Sequence, residues 1–171
     1  MKRLIGFFVV FLMLTGCSEP VWETVSDSAE IGADTVWQEH VYTLQIGVPD
    51  GVSLVEETED GSLYATKDGE LEIETRTFLT SGADQAVQEL SGFAREDLTV
   101  LQTQRFGLPE YQFAWVAQTE SGSRLYRADL VLDGTCCYAV VCSSLEEAGD
   151  YYAFQARQVF SSFGLSEQET V

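Results

Sequence analysis

The most concentrated group of side chains that could do chemistry in this 171-residue chain is a set of glutamates. Glu70, Glu72 and Glu74 occupy alternate positions, and four more carboxylates lie within 56–60. Carboxylate oxygens are the ligands that a hard cation such as Ca²⁺ prefers. The residues between the three glutamates are apolar, however, and this alternation also predicts the solvated face of a strand. We favour that interpretation, treat Glu70, Glu72 and Glu74 as weak candidate metal ligands, and predict no cofactor.

The remaining reactive side chains form no recognisable motif. Cys136 and Cys142 would lie about 20 Å apart on one strand, beyond the roughly 7 Å between Cα atoms that a disulfide permits. Together with Cys137 they are expected to be buried thiols in a central strand, with a strained Cys136–Cys137 bridge as the alternative. His40 is the only histidine, and no local pattern pairs it with a nucleophile. The sequence therefore predicts no catalytic residue.

Cys17 differs from the other cysteines because it follows a targeting segment. Lys2 and Arg3 precede the uncharged run 4–14, which as a helix would span roughly 16 Å, about half a bilayer core. This length indicates a signal peptide. The residues Leu14-Thr15-Gly16-Cys17 resemble the lipobox of bacterial lipoproteins. The resemblance implies cleavage between Gly16 and Cys17, a diacylglycerol on the Cys17 thiol, and a place at the extracytoplasmic face of the cell membrane. An ordinary signal peptide with a chance cysteine is the alternative.

The charge of the chain limits its partners. With 9 basic and 28 acidic residues, the net charge of −19 argues against nucleic-acid binding. Removal of 1–16 takes away two basic residues, so the mature chain has 7 basic and 28 acidic residues and a charge of −21. Anionic lipids attract basic segments by about 1 kcal/mol per residue, so the acidic domain is repelled and the acyl chains must provide the attachment. The segment 17–35 is predicted to be an acidic tether.

The sequence from residue 36 to residue 165 predicts one α+β domain, followed by a tail at 166–171. Asp-Gly pairs at 50–51, 60–61, 68–69 and 133–134 indicate hairpins. Alternating apolar residues predict a central antiparallel sheet of about eight strands, near 39–48, 52–58, 62–67, 70–79, 98–106, 110–119, 123–132 and 135–143. Helical spacing predicts two packed helices, the first from a capping box at Ser81 and Asp84 to Gly92, and the second from a box at Ser144 and Glu147 to Gly164.

The element order, the opening Tyr42–Pro49 (YTLQIGVP) and the closing Phe160–Leu165 (FSSFGL) resemble the PsbP-like fold. With the lipobox, Trp22-Glu-Thr24 and the Gly92-Phe and Asp97-Leu-Thr-Val motifs, the chain also resembles uncharacterised clostridial lipoproteins. The resemblance implies helices on an antiparallel sheet and binding to proteins or membrane complexes, with no transferable functional residue. We expect a non-catalytic binding or accessory module with a possible protein partner at the cell surface. The alternatives are a small-ligand or cation-binding lipoprotein and, third, a hydrolase.

Overall fold

The computed structural model describes residues 42–167. Nine strands and two α-helices follow one another in this part of the chain, with short 3₁₀ helices at Arg95–Asp97 and Glu146–Ala148. None of its helices has the length and apolar character needed to cross a bilayer. The elements in chain order are β1 (Tyr42–Gln45), β2 (Val52–Thr58), β3 (Gly61–Thr66), β4 (Leu71–Leu79), α1 (Ala83–Ser91), β5 (Leu101–Arg105), β6 (Leu108–Thr119), β7 (Gly122–Asp133), β8 (Cys136–Leu145), α2 (Ala153–Ser162) and β9 (Gly164–Glu167).

Seven of these strands form one sheet in the order β2-β3-β4-β8-β7-β6-β5, and every neighbouring pair is antiparallel. β8 lies at the centre of this sheet, and its first nine residues are buried. β1 and β9 pair with each other in a separate two-stranded sheet. The predicted α+β class with a central antiparallel sheet and two helices is therefore confirmed.

The seven-stranded sheet buries apolar residues on both faces because successive side chains of a strand point to opposite sides. On one face, Leu71, Ile73 and Tyr138 pack with Ala156 and Val159 of α2. On the other face, Leu130, Ala139 and neighbouring residues pack with Ala86 and Val87 of α1. Partly buried residues of β1 and β9 extend the α2 side of the core. Each helix thus covers one face of the sheet.

Several predicted element boundaries are wrong. The first predicted strand, 39–48, ends at Gln45 instead of at residue 48, and its described part, β1, pairs with β9 instead of joining the central sheet. The second helix begins at Ala153 and not at the Ser144 capping box. Ser144 is buried in β8 and lies opposite Leu71 and Leu125, so pairing within the sheet overrides the local cap pattern. β9 includes Ser166 and Glu167, which the sequence prediction assigns to the tail.

The start of α1 also differs from the predicted capping box. The N-cap residue is Gly82, and its φ of 149° allows the sharp entry into the helix. The Ser81 backbone N–H and hydroxyl both donate to Gln85 Oε1, at 2.8 and 2.6 Å, where the sequence had predicted a bond with Asp84. The helix ends as predicted at Gly92, which has a left-handed φ of 77°.

The predicted β2–β3 hairpin needs a glycine at position 61, but not as a turn residue. The β2–β3 hairpin forms, but Gly61 pairs with Thr58 as a strand residue, so its turn is Glu59-Asp60. A Cβ atom at Gly61 would lie 1.9 Å from the backbone oxygen of Thr75 in β4. Glycine is therefore required by the close approach of two strands and not by a positive φ.

Candidate functional site

A groove opens on the α1 face of the sheet, over the part of strands β2, β3 and β4 that α1 leaves uncovered. It has a volume of about 450 Å³, and its floor is made by Leu63, Val141 and Tyr126. Arg76 marks its boundary with α1, because its Nη2 donates to Oε1 of Glu89 on that helix at 3.3 Å. The rim carries four carboxylates, from Glu56, Asp60, Glu72 and Glu74. We call this feature the acidic groove.

The strand register brings these groups to one face. Glu56 lies opposite Leu63, and Leu63 lies opposite Glu74 on the next strand. Residues directly opposite in neighbouring antiparallel strands point to the same side. The alternation that makes Leu71 and Ile73 part of the α2-side core therefore places Glu72 and Glu74 in the groove.

The carboxylates of the groove are only partly neutralised. Glu72 Oε2 lies 3.1 Å from Nη2 of Arg124, whose side chain is 6% exposed, and accepts a hydrogen bond from Ser143 Oγ at 3.2 Å. Glu74 lies 3.7 Å from Nε of Arg76. Burial raises the pKa of Glu74, the Arg76 charge opposes that rise, and the neighbouring Glu72 charge adds to it. The groove therefore holds an excess of negative charge beside an apolar floor.

The structure separates the three glutamates that the sequence grouped as weak metal ligands. Glu72 and Glu74 line the groove, whereas Glu70 accepts a hydrogen bond from the Tyr152 hydroxyl at 3.0 Å. Burial, together with this bond to Glu70, raises the pKa of Tyr152 to about 12. Within residues 42–167, no three Asp, Glu, His or Cys side chains are grouped so that they could hold a metal ion.

The aromatic residues of β6 and β7 divide between core and groove. Phe113 and Trp115 stack with ring centroids 5.5 Å apart, and both are buried under α1. Trp115 in turn stacks on Tyr126 at 5.0 Å, and Tyr126 is the member of this ladder that reaches the groove. The alternation of each strand does not show which of these rings stays uncovered, because the position of α1 decides it.

The three cysteines of β8 are buried, as predicted, and are thiols. Cys136 contacts the α2-side core and Cys137 the α1-side core, since neighbouring residues of a strand face opposite ways. Burial raises the pKa of all three thiols, and that of Cys142 reaches about 12. Thiolate, the reactive form of cysteine, is therefore disfavoured at each of these positions.

A second polar cluster, which sequence reasoning missed, is buried beside the C-terminal end of α2. Arg105 of β5 donates from Nε to Glu110 at 2.6 Å and from Nη2 to Asp129 at 3.0 Å. Its Nη1 donates to the backbone oxygens of Phe160 and Phe163, at 2.8 and 3.1 Å, so one guanidinium joins three strands to the end of a helix. We call this group the arginine latch. Its members lie on different strands and share no local sequence signal.

Burial raises the pKa of Asp129 in the arginine latch to about 7; the Arg105 charge opposes this shift and the Glu110 charge adds to it. The pKa of Glu110 is lowered: its burial acts upward, but hydrogen bonds from Thr103 and Arg105 outweigh it. Asp129 is fully buried, and its Oδ1 accepts no hydrogen bond within the described residues. A protonated Asp129 would instead donate to Glu110. Through Arg105, the cluster connects the C-terminal end of α2 to the sheet.

Cys17, Gly16 and His40 lie outside the described residues. The predicted lipidation and cleavage sites, the tether and any role for the single histidine therefore remain sequence predictions.

The fold has known counterparts, although no protein-family model matches the chain and no curated protein matches it. The cyanobacterial PsbP protein CyanoP from Synechocystis sp. PCC 6803 aligns with a TM-score of 0.52 and 11% identity, over 79% of this chain and 96% of that chain. A protein from Bacteroides thetaiotaomicron VPI-5482 aligns with a TM-score of 0.53 and 10% identity over 74% of this chain. This chain spans less than half, 46%, of that protein.

At these identities the likeness establishes the fold alone, and the chain has a PsbP-like α+β fold. LpqN, described as involved in cell envelope biogenesis of Mycobacterium tuberculosis, aligns with a TM-score of 0.47 and 14% identity, over 78% of this chain and 87% of that chain. That score is too low to support a functional comparison.

Proposed function

We propose that this chain is a lipid-anchored, extracytoplasmic binding or accessory module without catalytic activity. The observation that carries the proposal is the acidic groove, an open concave surface with an apolar floor and charged rim. Binding sites commonly combine apolar walls with a few converging polar groups. Two of its carboxylates are held by arginines, and the described cysteines are buried with raised pKa values. This arrangement favours recognition over nucleophilic chemistry.

The membrane location in this proposal rests on Cys17 and on charge. Acyl chains on Cys17 would supply about 0.8 kcal/mol per buried CH₂ group. The mature chain, at −21, would gain nothing from anionic lipid headgroups. The domain would therefore stay in the aqueous phase beside the membrane, with the groove accessible to a partner.

Binding of a small ligand or cation is the second candidate function, and the groove volume favours it, since about 450 Å³ lies in the range of small-molecule sites. A ligand that binds only the folded state raises the melting temperature. If the site takes Ca²⁺, millimolar CaCl₂ will raise the melting temperature of the protein, and the E72Q/E74Q double variant will abolish that rise. An unchanged melting temperature would remove the Ca²⁺ form of this candidate.

Site-directed photocrosslinking in native membranes tests the binding function. A benzophenone side chain would replace Thr58, an exposed residue of the groove lining. A matched control would replace Val116, which is 42% exposed on β6 and outside the groove. We expect the probe at position 58 to give a discrete crosslinked partner that the probe at position 116 does not give. Equal yields at both positions, or no product at position 58, would contradict a partner at the groove.

A further inference from the structure

The strand next to the groove, β2, is an edge of the seven-stranded sheet. Its inner side pairs with β3, from Val52 opposite Thr66 to Thr58 opposite Gly61. No strand among residues 42–167 pairs with its outer side. The backbone N–H and C=O groups of such an edge are a template for pairing with another extended segment.

The edge strand β2 also carries exposed aliphatic side chains. Leu54 and Val55 are 50% and 61% exposed, at the point where the register of β2 shifts by one residue. Bulges of this kind often protect an edge from random pairing. The exposed side chains of Leu54 and Val55 favour pairing instead, because an added strand could bury them.

The charge of the edge selects the kind of segment that could pair with it. Four carboxylates lie within the five positions 56–60, and no lysine or arginine occurs from Val52 to Thr66. The other sheet edge, β5, has the sequence LQTQR and carries no carboxylate. A second copy of this chain would present the same acidic edge and be repelled. The chain's own residues 18–41 contain six acidic residues and no lysine or arginine, so they are equally poor occupants.

We propose, resting on the binding function above, that the outer edge of β2 binds an extended basic segment of a partner protein as an added strand. Such a strand would lie about 4.8 Å from β2 and would point every second side chain to the α1 face. On that face Glu56 lies in one row with Leu63 and Glu74. Lysine or arginine side chains of the added strand would therefore enter the acidic groove, while backbone hydrogen bonds and contacts with Leu54 and Val55 would fix the strand.

Peptide binding to the processed full-length protein in detergent tests this inference. The probe is a fluorescent ten-residue peptide of alternating Lys and Val, measured by anisotropy. One control peptide alternates Glu and Val. A second control keeps all the lysines but replaces the valines with proline, so that it retains the charge but cannot form a strand. We expect binding of the Lys-Val peptide alone, with slowed hydrogen exchange of amides in β2.

Matched variants locate the contact. The double variants E56K/E57K and E56Q/E57Q are expected to weaken binding of the Lys-Val peptide at least about tenfold, since one good ion pair or its loss changes affinity on this scale. The same reversal on the 3₁₀ helix that follows β8, E146K/E147K, lies outside the groove lining and is expected to change affinity less than about twofold. Equal binding of the proline peptide, or equal affinity of E56K/E57K and the wild-type protein, would overturn strand addition.

The two proposals fail separately. If a membrane partner crosslinks at position 58 but the Lys-Val peptide does not bind, the binding function stands and the added basic strand is refuted. If the peptide binds at β2 and no partner crosslinks there, the edge has the proposed chemistry but the binding function loses its support.

Discussion

The arginine latch predicts that the free energy of unfolding depends on pH through the carboxyl group of Asp129. The pKa of the Asp129 carboxyl is 3.8 in the unfolded chain, and burial raises it to about 7 in the folded protein. A folded-state pKa above the unfolded value means that the folded protein holds a proton which the unfolded chain releases between these pH values. Stability therefore falls as pH rises from about 4 to 7, and the loss is complete above pH 7. Three pKa units correspond to about 4 kcal/mol.

Glu110 acts in the opposite direction but in a different pH range. Its pKa is lowered from 4.5, so its stabilising contribution is lost only as the pH falls below that value. Between pH 5 and 8 the change from this pair therefore comes from the proton on Asp129. Because the two carboxyl groups interact, the titration belongs to the pair, and the 4 kcal/mol is an upper estimate of the order of magnitude.

The substitution Asp129→Asn tests this reasoning because an amide imitates the protonated carboxyl. Its oxygen can accept from Arg105 and Gln112, as Asp129 Oδ2 does at 3.0 and 3.1 Å, and its NH₂ can donate to Glu110. Urea unfolding of wild type and D129N at pH 5 to 8 should show a steeper fall in the free energy of unfolding for the wild type than for D129N, with D129N the more stable protein at pH 8.

The exposed Asp50 gives the matched control for this experiment. D50N should keep the pH dependence of the wild type, because it removes a carboxylate without touching the latch. A pH dependence of D129N equal to that of the wild type, or a D129N protein that is less stable at pH 8, would refute the assigned protonation of Asp129.

Three further predictions concern the packing of the domain. Arg105→Met should lower the free energy of unfolding by about 3–5 kcal/mol, measured in urea, because it leaves buried carboxylates without their cation. Gly61→Ala should cost roughly 1–3 kcal/mol in the same assay because its Cβ would overlap the backbone of β4. Gly164→Ala, where the nearest atom is 3.8 Å away, should cost less, and equal losses would contradict the role given to Gly61. Iodoacetamide should leave the buried thiols Cys137 and Cys142 unmodified in the native protein and alkylate them after unfolding; mass spectrometry would detect native alkylation, which would contradict their burial.

The local parts of the fold could be predicted from the sequence because their signals lie within one or two strands. Alternating apolar residues located the seven strands of the central sheet, and Gly92 gave the end of α1. The β1–β9 pair could not be predicted in this way, since Tyr42 pairs with Glu167 across most of the domain. The β5–β6 turn was predicted one to two residues too late in the chain, because its first residue, Phe106, has a positive φ although phenylalanine is rare in that conformation.

Only part of the candidate site could be predicted from the sequence, because the groove is formed by strands that are far apart in the chain. The sequence identified Glu72 and Glu74 as neighbours on one face but not the groove around them, because the position of α1 decides which part of the face stays open. Tyr126 and Arg124 come from β7, two strands away from β4. Nothing in the residues around Arg124 indicates that it meets Glu72 of β4.

Attachment of the chain through Cys17 is tested most directly by the intact mass of the protein extracted from membranes. We predict a chain that begins at Cys17 and is heavier than residues 17–171 by at least one diacylglycerol, because a mature charge of −21 gives the domain no electrostatic attraction to an anionic surface. A membrane form that starts elsewhere, or whose Cys17 carries no lipid, would contradict the proposed lipid-anchored module.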